Sequence, residues 1–329
     1  MPQPTTREVH FDTVLTNIAI AYKQDVKGFI ADQVFPIVPV EKQSDRILKF
    51  SKEYWFKIQA GLRAPGTESR GGGFTLDQTD TYFCDIHAFH MDVPLATFKN
   101  SDIPDLERQV VEFVTHQLLL ERELDWATRF FSDTGKTPGV DFWTVWTAGT
   151  DFVAWDQNNS DPIADIERAK RTIQKTTGFV PNKLVLGPEA YAALRAHPKI
   201  QAQVVYAPTT APDVKGLVTP ELLAKLFDLE AVYVGKATYD ATPERSQASP
   251  DFLFGPHALL VYAPPRPGLL IPTGGYIFEW TGYNSGYSVG VSTIDMPHLK
   301  AVRYEGEMAY HAKILGPDLG IFFKNVVSS

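Results

Sequence analysis

The sequence predicts an α+β fold, and three observations carry that prediction. Two early segments, residues 46–61 and 74–93, alternate apolar and polar side chains with the period of two that is typical of strands. Residues 101–135 carry apolar side chains at three- and four-residue spacing, which is the period of an amphipathic helix. Helix and strand patterns then alternate over residues 161–240, and the chain from residue 250 onward is mainly strand-like.

The composition limits the possible classes of protein. The chain has 329 residues, of which 44% are hydrophobic and 21% charged, so a sizeable core can be buried and global disorder is not expected. The net charge of -8 argues against a protein whose main task is to grip nucleic-acid phosphates, although such a chain could still enclose nucleic acid. The single cysteine, Cys84, excludes an intrachain disulfide and indicates a reducing compartment. The N-terminal sequence has no signal-peptide pattern, and no run approaches the length of a membrane span.

Residues 1–44 are predicted to form an irregular arm that lies across a surface. Pro36 and Pro39 each remove a backbone donor and favour extended shapes in the preceding residue. Apolar side chains around them, including Phe29, Phe35 and Ile37, need something to cover them.

The two alternating segments predict a long hairpin with a flexible tip. The apolar positions of the first strand are Leu48, Phe50, Tyr54, Phe56 and Ile58, and the connection "AGLRAPGTESRGGG" contains five glycines. Arms of this length would reach roughly 40–50 Å at ~3.3 Å per residue. Because a two-stranded ribbon alone is marginal in water, it needs a surface, either on its own domain or on another subunit.

The helical pattern that follows predicts a spine about 42 Å long over about 28 residues. Ser101 or Asp102 can cap it, Pro104 suits its first turn, and Gly135 ends it. Its predicted apolar stripe consists of Leu106, Val110, Phe113, Val114, Gln117, Leu120, Leu124 and Phe131.

The segment from residue 161 predicts a lobe of alternating helices and strands. Asp161 is placed as a helix cap with Pro162 in the first turn, and Gly178 marks the end of that helix. A short buried strand, "NKLVLGP", leads into a helix that starts at Pro188. A further helix is expected after Thr219, followed by a strand.

Possible catalytic signatures are weak. "GYSVG" matches G-x-S-x-G around Ser288, but a nucleophile elbow requires a helix directly afterwards, and "VSTIDMPH" does not predict one. Cys84, His87 and His90 are three residues apart, yet strand geometry puts His87 on the opposite face, so no metal site is expected. Glu305 and Glu307 share a strand face but no pocket is indicated. The sequence therefore predicts no catalytic residue, no metal and no cofactor.

The order of these parts is itself informative. An extended arm, a glycine-tipped hairpin, a spine helix, an α/β lobe and returning strands follow one another. Together with the phrases "FIADQVFPIVPVEKQSDRILKFSKE", "DPIADIERAKRTIQKTTGFVPNKLVLGPEAYAALRAHPKI" and "RYEGEMAYHAKILGPDLGIFFKNVV", this order resembles the major capsid protein of tailed bacteriophages, with the Hong Kong 97-type fold. The resemblance covers essentially the whole chain.

The resemblance implies a division of the chain. Residues 1–44 would be the N-terminal arm, 45–96 the extended loop (E-loop), 97–145 with 290–314 the peripheral domain, and 146–289 with 315–329 the axial domain. It also implies contacts with neighbouring subunits. In the E-loop and its tip these would involve Phe50, Tyr54, Trp55, Phe56, Arg63, Glu68 and Arg70; in the arm they would involve Phe29, Phe35 and Ile37.

The implied function is structural. Copies of the chain would form hexamers and pentamers of an icosahedral shell around double-stranded DNA, without sequence-specific binding and without enzymatic activity. The implied partners are further copies of itself, a separate scaffolding protein, a portal and a decoration protein, with assembly in the host bacterial cytoplasm and a final place in the virion. No motif carries over the lysine–asparagine bond of some family members, so no self-crosslinking is expected. The alternatives are an encapsulin-like nanocompartment shell protein and, more remotely, a serine hydrolase using Ser288.

Overall fold

The structure is a computed structural model, which describes residues 25, 28–50, 55–77, 79–101, 105–132, 142–205, 218–242, 249–268, 271–283 and 289–328. The strands are β1 Ile37–Val40, β2 Ser44–Arg46, β3 Lys49–Phe50, β4 Leu76–Asp77, β5 Thr81–Phe83, β6 Asp85–Pro94, β7 Thr144–Thr147, β8 Lys183–Leu186, β9 Ala231–Val234, β10 Thr238–Tyr239, β11 Asp251–Phe252, β12 Ala258–Val261, β13 Gly275–Trp280, β14 Gly290–Met296, β15 Ala301–Ile314 and β16 Gly320–Lys324. The helices are α1 Ala31–Val34, α2 Leu95–Asn100, α3 Leu106–Trp126, α4 Pro162–Thr177, α5 Pro188–Ala196, α6 Pro198–Val205 and α7 Pro220–Leu226. In these residues no helix is both long and apolar enough to cross a membrane.

The first sheet is built around the long strand β15. On one side β15 pairs antiparallel with β6, and on the other with β14 and β13; β1 then adds in parallel to β13. The helix α3 packs across β15 and β6. The sheet thus joins segments from opposite ends of the chain, because β1 comes near its start and β15 near its end.

The second sheet has the order β7-β16-β12-β8-β9 and forms a middle layer. Every residue of β8 and β12 is buried, as expected of strands covered on both faces. Alternate side chains face two different clusters: Leu184 and Leu186 pack with helices α4 to α7, whereas Val185 packs toward α3 and the first sheet. The fold is therefore α+β with a sheet shared between two cores, and the predicted class is confirmed.

The predicted helix ends in the lobe are confirmed where a side chain defines them. The Asp161 carboxylate accepts a hydrogen bond from the backbone N–H of Ala164, and α4 ends at Gly178 with φ 75°. The Thr219 hydroxyl accepts from Leu222 N at the start of α7. These caps satisfy backbone groups that a helix leaves unpaired at its ends, so their positions can be read locally.

The spine helix differs from its prediction in its start and in the face that it buries. It begins after Asp105, which has φ 52° and no side-chain cap; Ser101 instead ends α2, and Asp102 and Pro104 lie outside the described residues. Its last turn continues as a π-helical segment over Ala127–Phe131. The buried side chains of α3 are Val110, Val114, Leu118, Arg122, Glu123 and Trp126, whereas Phe113 and Leu124 from the predicted stripe are exposed. Because the charged residues Arg122 and Glu123 are buried, the apolar positions alone do not identify the buried face of this helix.

The hairpin is less regular than the alternation predicted. In the described residues its ladder consists of β2 with β5 and β3 with β4, and the outermost described pair is Phe50 with Leu76. In the described residues 56–75 no strand continues it. The alternation over Phe56 and Ile58 is therefore not strand pairing. The composition of this stretch explains the missing strand pairing, because its five glycines disfavour a regular ladder.

The main core covers the apolar residues of the predicted arm. Phe29, Ile30, Val34 and Phe35 are buried against α3, β13, β15 and the second sheet. The Phe35 ring lies 4.7 Å from that of Phe130 between centroids. These arm residues were expected to need something to cover them, and the cover lies within their own chain.

Candidate assembly surface

The described residues 55–75, which we call the tip loop, expose an unusual amount of apolar surface. Leu62 and Ile58 are 103% and 94% exposed, Trp55 is 68% exposed, and Phe56 and Phe74 are also more than half exposed. Soluble monomers seldom leave a contiguous apolar segment of this kind in water, and such segments mark interaction sites. The tip loop is therefore the strongest candidate for a contact surface.

The two sides of the tip loop stay next to each other although no ladder joins them. A Cβ atom added to Gly72 would lie 1.9 Å from Oε1 of Gln59, and one added to Gly61 would lie 2.9 Å from the Arg70 guanidinium carbon. Further back, the rings of Trp55 and Phe74 have centroids 6.3 Å apart. The two glycines leave room for the ends of the Gln59 and Arg70 side chains, which lie against them.

A turn closes the end of the tip loop. The Arg63 Nε–H donates to the Thr67 carbonyl at 2.6 Å, and the Thr67 hydroxyl donates to the Ala64 carbonyl at 2.8 Å. Gly66 has φ 79°, a left-handed conformation that suits glycine. Glu68 and Arg70 follow the turn and are exposed. The loop therefore ends in a defined turn with charged side chains on its surface.

The tip loop touches the body of the chain through Phe56. A Cβ atom added to Gly178, at the end of α4, would lie 3.5 Å from the Phe56 ring. Phe56 nevertheless remains 57% exposed. This contact leaves Ile58 and Leu62 uncovered.

An ionic cluster fixes the base of the hairpin to β15. Asp80 forms salt bridges with Lys49 of β3 and Lys313 of β15. Lys313 also donates to the Thr81 carbonyl at 2.6 Å. Burial disfavours the charged form of Asp80, but the hydrogen bonds from the two lysines outweigh that effect, so the pKa of Asp80 is lowered. The ionised carboxylate therefore holds the hairpin base in place.

A small apolar cluster lies beside these charges. The Tyr82 ring stacks on Phe278 of β13, with centroids 4.6 Å apart and planes 10° from parallel. Cys84 is fully buried in the same cluster, and burial raises the pKa of its thiol to about 11. The base of the hairpin is thus packed against the first sheet, whereas its tip is not.

The structure places the other predicted contact residues in different surroundings. Phe29 and Phe35 lie in the chain's own core, so their side chains are not available to a neighbour in this conformation. Ile37 is half-buried in β1, paired with Ile277. Phe50 lies in β3, and Tyr54 lies outside the described residues.

The weak chemical signatures do not combine into a site. His87 stacks on Tyr310, and its Nδ1 lies 2.7 Å from a Glu121 carboxylate oxygen. The described residues contain no group of three or more His, Cys, Asp or Glu side chains that could hold a metal. Ser288 lies outside the described residues, but strand β14, not a helix, begins at Gly290, so the context for a nucleophile elbow is missing.

Sequence reasoning missed several residues that shape this surface. Asp80 and Lys313 are separated by more than 230 positions, and nothing local indicates that they meet. Away from this surface, the buried charges Glu123 and Lys183 in the core were likewise not foreseen. The helix that contains Glu123 and the strand that contains Lys183 were predicted from their apolar positions. Charged residues within such patterns are usually solvated, so burial of these two was not expected.

Comparison with known proteins identifies relatives over most of the chain. The family model described as "Phage major capsid protein E" matches residues 147–248. The protein named "Major capsid protein" of Pseudomonas phage JBD67 is 31% identical over 324 residues, which is 97% of each chain. The protein of the same name from Burkholderia phage BcepMu is 30% identical over 259 residues, or 78% of each chain.

Solved structures share the fold. A phage-related protein from Bordetella bronchiseptica RB50 matches with a TM-score of 0.67 and 23% identity, covering 96% of this chain and 97% of its own. The capsid of cyanophage P-SCSP1u matches with a TM-score of 0.61 and 10% identity, covering 97% and 93%. An encapsulin from Synechococcus elongatus PCC 7942 matches with a TM-score of 0.55 and 12% identity over 97% of each chain. At these identities the structures show the fold alone.

Proposed function

This chain belongs to the family of phage major capsid proteins, and we propose that copies of it assemble into hexamers and pentamers of an icosahedral shell around double-stranded DNA. The membership rests on two relatives that are at least 30% identical over most of the chain. The role is accordingly structural. A serine-hydrolase function of Ser288 finds no support, because a strand follows that residue.

The observation that carries the proposed assembly is the uncovered apolar surface of the tip loop. Ile58 and Leu62 are almost completely exposed. Burying one such side chain against a neighbour contributes about 1.5–3 kcal/mol. Heterologous contacts of this kind close into rings when the rotation between subunits permits. The sequence left open whether the ribbon rests on its own body or on another copy, and the exposure of these side chains supports another copy.

We propose the domain division that the family resemblance implies. The arm comprises residues 1–44, the E-loop 45–96, the peripheral domain 97–145 with 290–314, and the axial domain 146–289 with 315–329. The second sheet and helices α4 to α7 support an axial domain as one packed unit. Strand β13 falls within the axial range but pairs with β15, so we place it physically with the peripheral sheet.

The proposed partners follow from the same premise. Besides further copies of itself, the chain would use a separate scaffolding protein, a portal and a decoration protein. Assembly would occur in the host bacterial cytoplasm, and the finished shell would be part of the virion. The net charge of -8 fits a shell that encloses DNA without adhering to it, since adhesion depends on neutralising phosphates.

Deleting residues 62–72 tests the role of the tip loop. Gln59 lies next to Gly72, so Gly61 and Gly73 can be joined without pulling on the hairpin base. We expect the isolated subunit to keep its unfolding free energy, because the deleted residues are exposed, while the yield of complete particles falls at least tenfold. Particle yield is measured by sedimentation and negative-stain microscopy.

A length-preserving variant provides the control. Replacing Ala64–Thr67 by Gly-Ser-Gly-Ser keeps Leu62 and the charged side chains of the tip, so particles should form almost normally. Complete particles in normal yield from the deletion would contradict the proposed contact.

The shared fold with an encapsulin keeps a nanocompartment as the second candidate. The two functions differ in what the particle contains. Nuclease-protected DNA in particles purified from infected cells supports the phage shell, and a tightly held protein cargo without DNA supports the nanocompartment.

A further inference from the structure

The four-residue helix α1 is held at its N-terminus by a buried carboxylate from another element. Both oxygens of Glu123, on α3, accept backbone hydrogen bonds: Oε1 from Ile30 N at 2.8 Å and Oε2 from Ala31 N at 2.9 Å. Glu123 is 1% exposed. More than 90 positions separate donor and acceptor, so this bond joins distant parts of the chain.

The other end of α1 is held by a buried ammonium. Lys183, the first residue of β8, donates from Nζ to the carbonyl of Val34 at 2.7 Å and to that of Gln33 at 3.2 Å. Lys183 is 6% exposed, and its Nζ lies 5.8 Å from the centre of the Tyr233 ring. The ammonium thus takes up carbonyl groups that the end of the helix leaves unpaired.

In their ionised forms the two side chains match in sign the helix ends that they hold, and this attraction opposes the larger cost of burying each charge. A helix carries partial positive charge at its N-terminus and partial negative charge at its C-terminus. A helix of four residues has little stability of its own, so external partners determine whether it forms. Glu123 belongs to the helix on the first sheet and Lys183 to a strand of the second. Helix α1 therefore ties the two sheets together through polar bonds inside the main core.

We propose that α1 is a two-ended latch between the two sheets, closed by Glu123 and Lys183, whose closed state is favoured by mild acid and weakened above neutral pH. When the latch is closed, residues 28–36 are fixed and the angle between the sheets is restrained. When it opens, the arm is released from the core and that restraint is lost.

The direction of the pH effect follows from the burial of Glu123. Burial raises its pKa to about 7, against the opposing effect of its two backbone hydrogen bonds. In the open state the carboxyl is in water with an ordinary pKa of 4.5. The closed state therefore binds more protons between these values, so closure gains stability as pH falls through about 7 and loses it as pH rises.

Other ionisable groups lie near Glu123, and their contribution to the pH dependence has to be distinguished from that of Glu123. Asp32 on α1 forms a salt bridge with Arg122, whose guanidinium lies over the Tyr310 ring. His116 on α3 lies beside Phe29, with ring centroids 5.9 Å apart.

The lysine end responds to pH in the opposite direction. Burial lowers the pKa of Lys183, and Glu230 opposes that effect. At this end the closed state therefore binds fewer protons than the open state. The stability of the closed state changes through Lys183 only between its lowered pKa and 10.5.

Hydrogen–deuterium exchange of the full-length chain tests the latch. The protection of residues 28–36, corrected for the intrinsic exchange rate at each pH, is measured between about pH 5.5 and 8.5 in one state of assembly. In the wild type we expect protection to fall on the order of tenfold across this range. In Glu123→Gln, which cannot ionise, we expect protection to be independent of pH. In Lys183→Met we expect lower protection at every pH with the wild-type dependence on pH retained.

Control variants exclude general effects on the two elements. Glu112→Gln alters a partly exposed carboxylate on the same helix, which pairs with Arg108. Lys175→Met alters an exposed lysine at the end of α4, and both variants should behave as the wild type. An unaltered pH dependence in Glu123→Gln, or unaltered protection in Lys183→Met, would overturn the proposal. Should Glu123→Gln not fold, His116→Gln tests whether His116 causes the pH dependence. The proposal requires this variant to keep the pH dependence of the wild type, and its loss would overturn the proposal.

Discussion

Gly306 lies where the spine helix α3 crosses β15, and its missing side chain allows the close approach of the two elements. A Cβ atom added there would lie 2.7 Å from both Leu118 Cδ1 and Val114 Cγ1. Both neighbours are fully buried, so neither can move away freely. The close packing of α3 on β15 at this crossing thus depends on a small residue at position 306.

We expect Gly306→Ala to lower the unfolding free energy by about 1–3 kcal/mol, the usual cost of overpacking a core. Urea unfolding of the subunit measures this change. Gly71→Ala is the matched control, since an added Cβ there meets nothing within 4 Å, and its effect should stay within about 0.5 kcal/mol. Equal effects of the two substitutions would show that the contact is not tight.

Cys84 should be chemically silent in the folded subunit. It is fully buried, and with a pKa of about 11 it is almost entirely protonated at pH 8, whereas the thiolate is the reactive form. We expect a thiol reagent to leave the native chain unlabelled at pH 8 and to label it at once in urea. A Glu68→Cys variant, with a second thiol on the exposed tip loop, should take up one label while native. Rapid labelling of native wild type would contradict the packing described for the hairpin base.

At the scale of elements, Asp80 determines how firmly the hairpin is attached to the first sheet. We expect Asp80→Asn to lower the unfolding free energy at pH 7 by about 1–2 kcal/mol, because Lys49 and Lys313 lose their shared partner. The pKa of Asp80 is lowered, so its stabilising effect is complete above the ordinary value of 3.8 and disappears as pH falls through the lowered one.

Urea unfolding at pH 7 and near pH 3 measures this dependence for Asp80→Asn. The difference between wild type and variant should shrink at the lower pH. Glu189→Gln, at an exposed position of α5, should show a smaller difference at both values. A difference for Asp80→Asn that does not change with pH would mean that the ionised carboxylate is not what stabilises the base.

Elements whose ends are defined locally could be predicted from the sequence, and elements defined by distant partners could not. The ends of α4 and the start of α7 were readable because Asp161, Gly178 and Thr219 act on backbone groups within four positions. The pairing of β1 with β13 joins residues 240 positions apart and leaves no local trace.

The buried face of the spine helix shows a second reason why some features could not be predicted from the sequence. A period of 3.6 residues identifies the helix, but the choice of face depends on which side chains find partners. Glu123 is buried because α1 supplies two amide donors, and this brings a charged position into the core while Phe113 remains exposed. At the candidate site the same holds: the sequence predicted the ribbon and its glycine-rich tip, but not the ionic cluster that anchors it.

At the scale of the whole molecule, two kinds of contact could drive the association of tip loops with neighbouring copies. The loop offers exposed apolar side chains, above all Ile58 and Leu62, and exposed charges, Glu68 and Arg70. An exposed ion pair contributes about 0–1 kcal/mol and weakens with salt, whereas a buried apolar side chain contributes about 1.5–3 kcal/mol and does not. The apolar term should therefore dominate, and assembly should tolerate high ionic strength.

This comparison predicts opposite outcomes for a double variant that removes apolar side chains and one that removes charges, and a third double variant serves as a control. Ile58→Asn with Leu62→Asn should assemble poorly at any salt concentration while the isolated subunit keeps its unfolding free energy, because both side chains are exposed there. Ile58→Val with Leu62→Ile keeps the apolar surface and should assemble normally. Glu68→Gln with Arg70→Gln should form particles in nearly wild-type yield. Sedimentation in about 0.1 M and 1 M NaCl measures the particle yield of the wild type and the three double variants. A wild-type shell that falls apart in high salt would mean that charge pairs contribute more than apolar burial, because salt screens charges and leaves apolar burial intact.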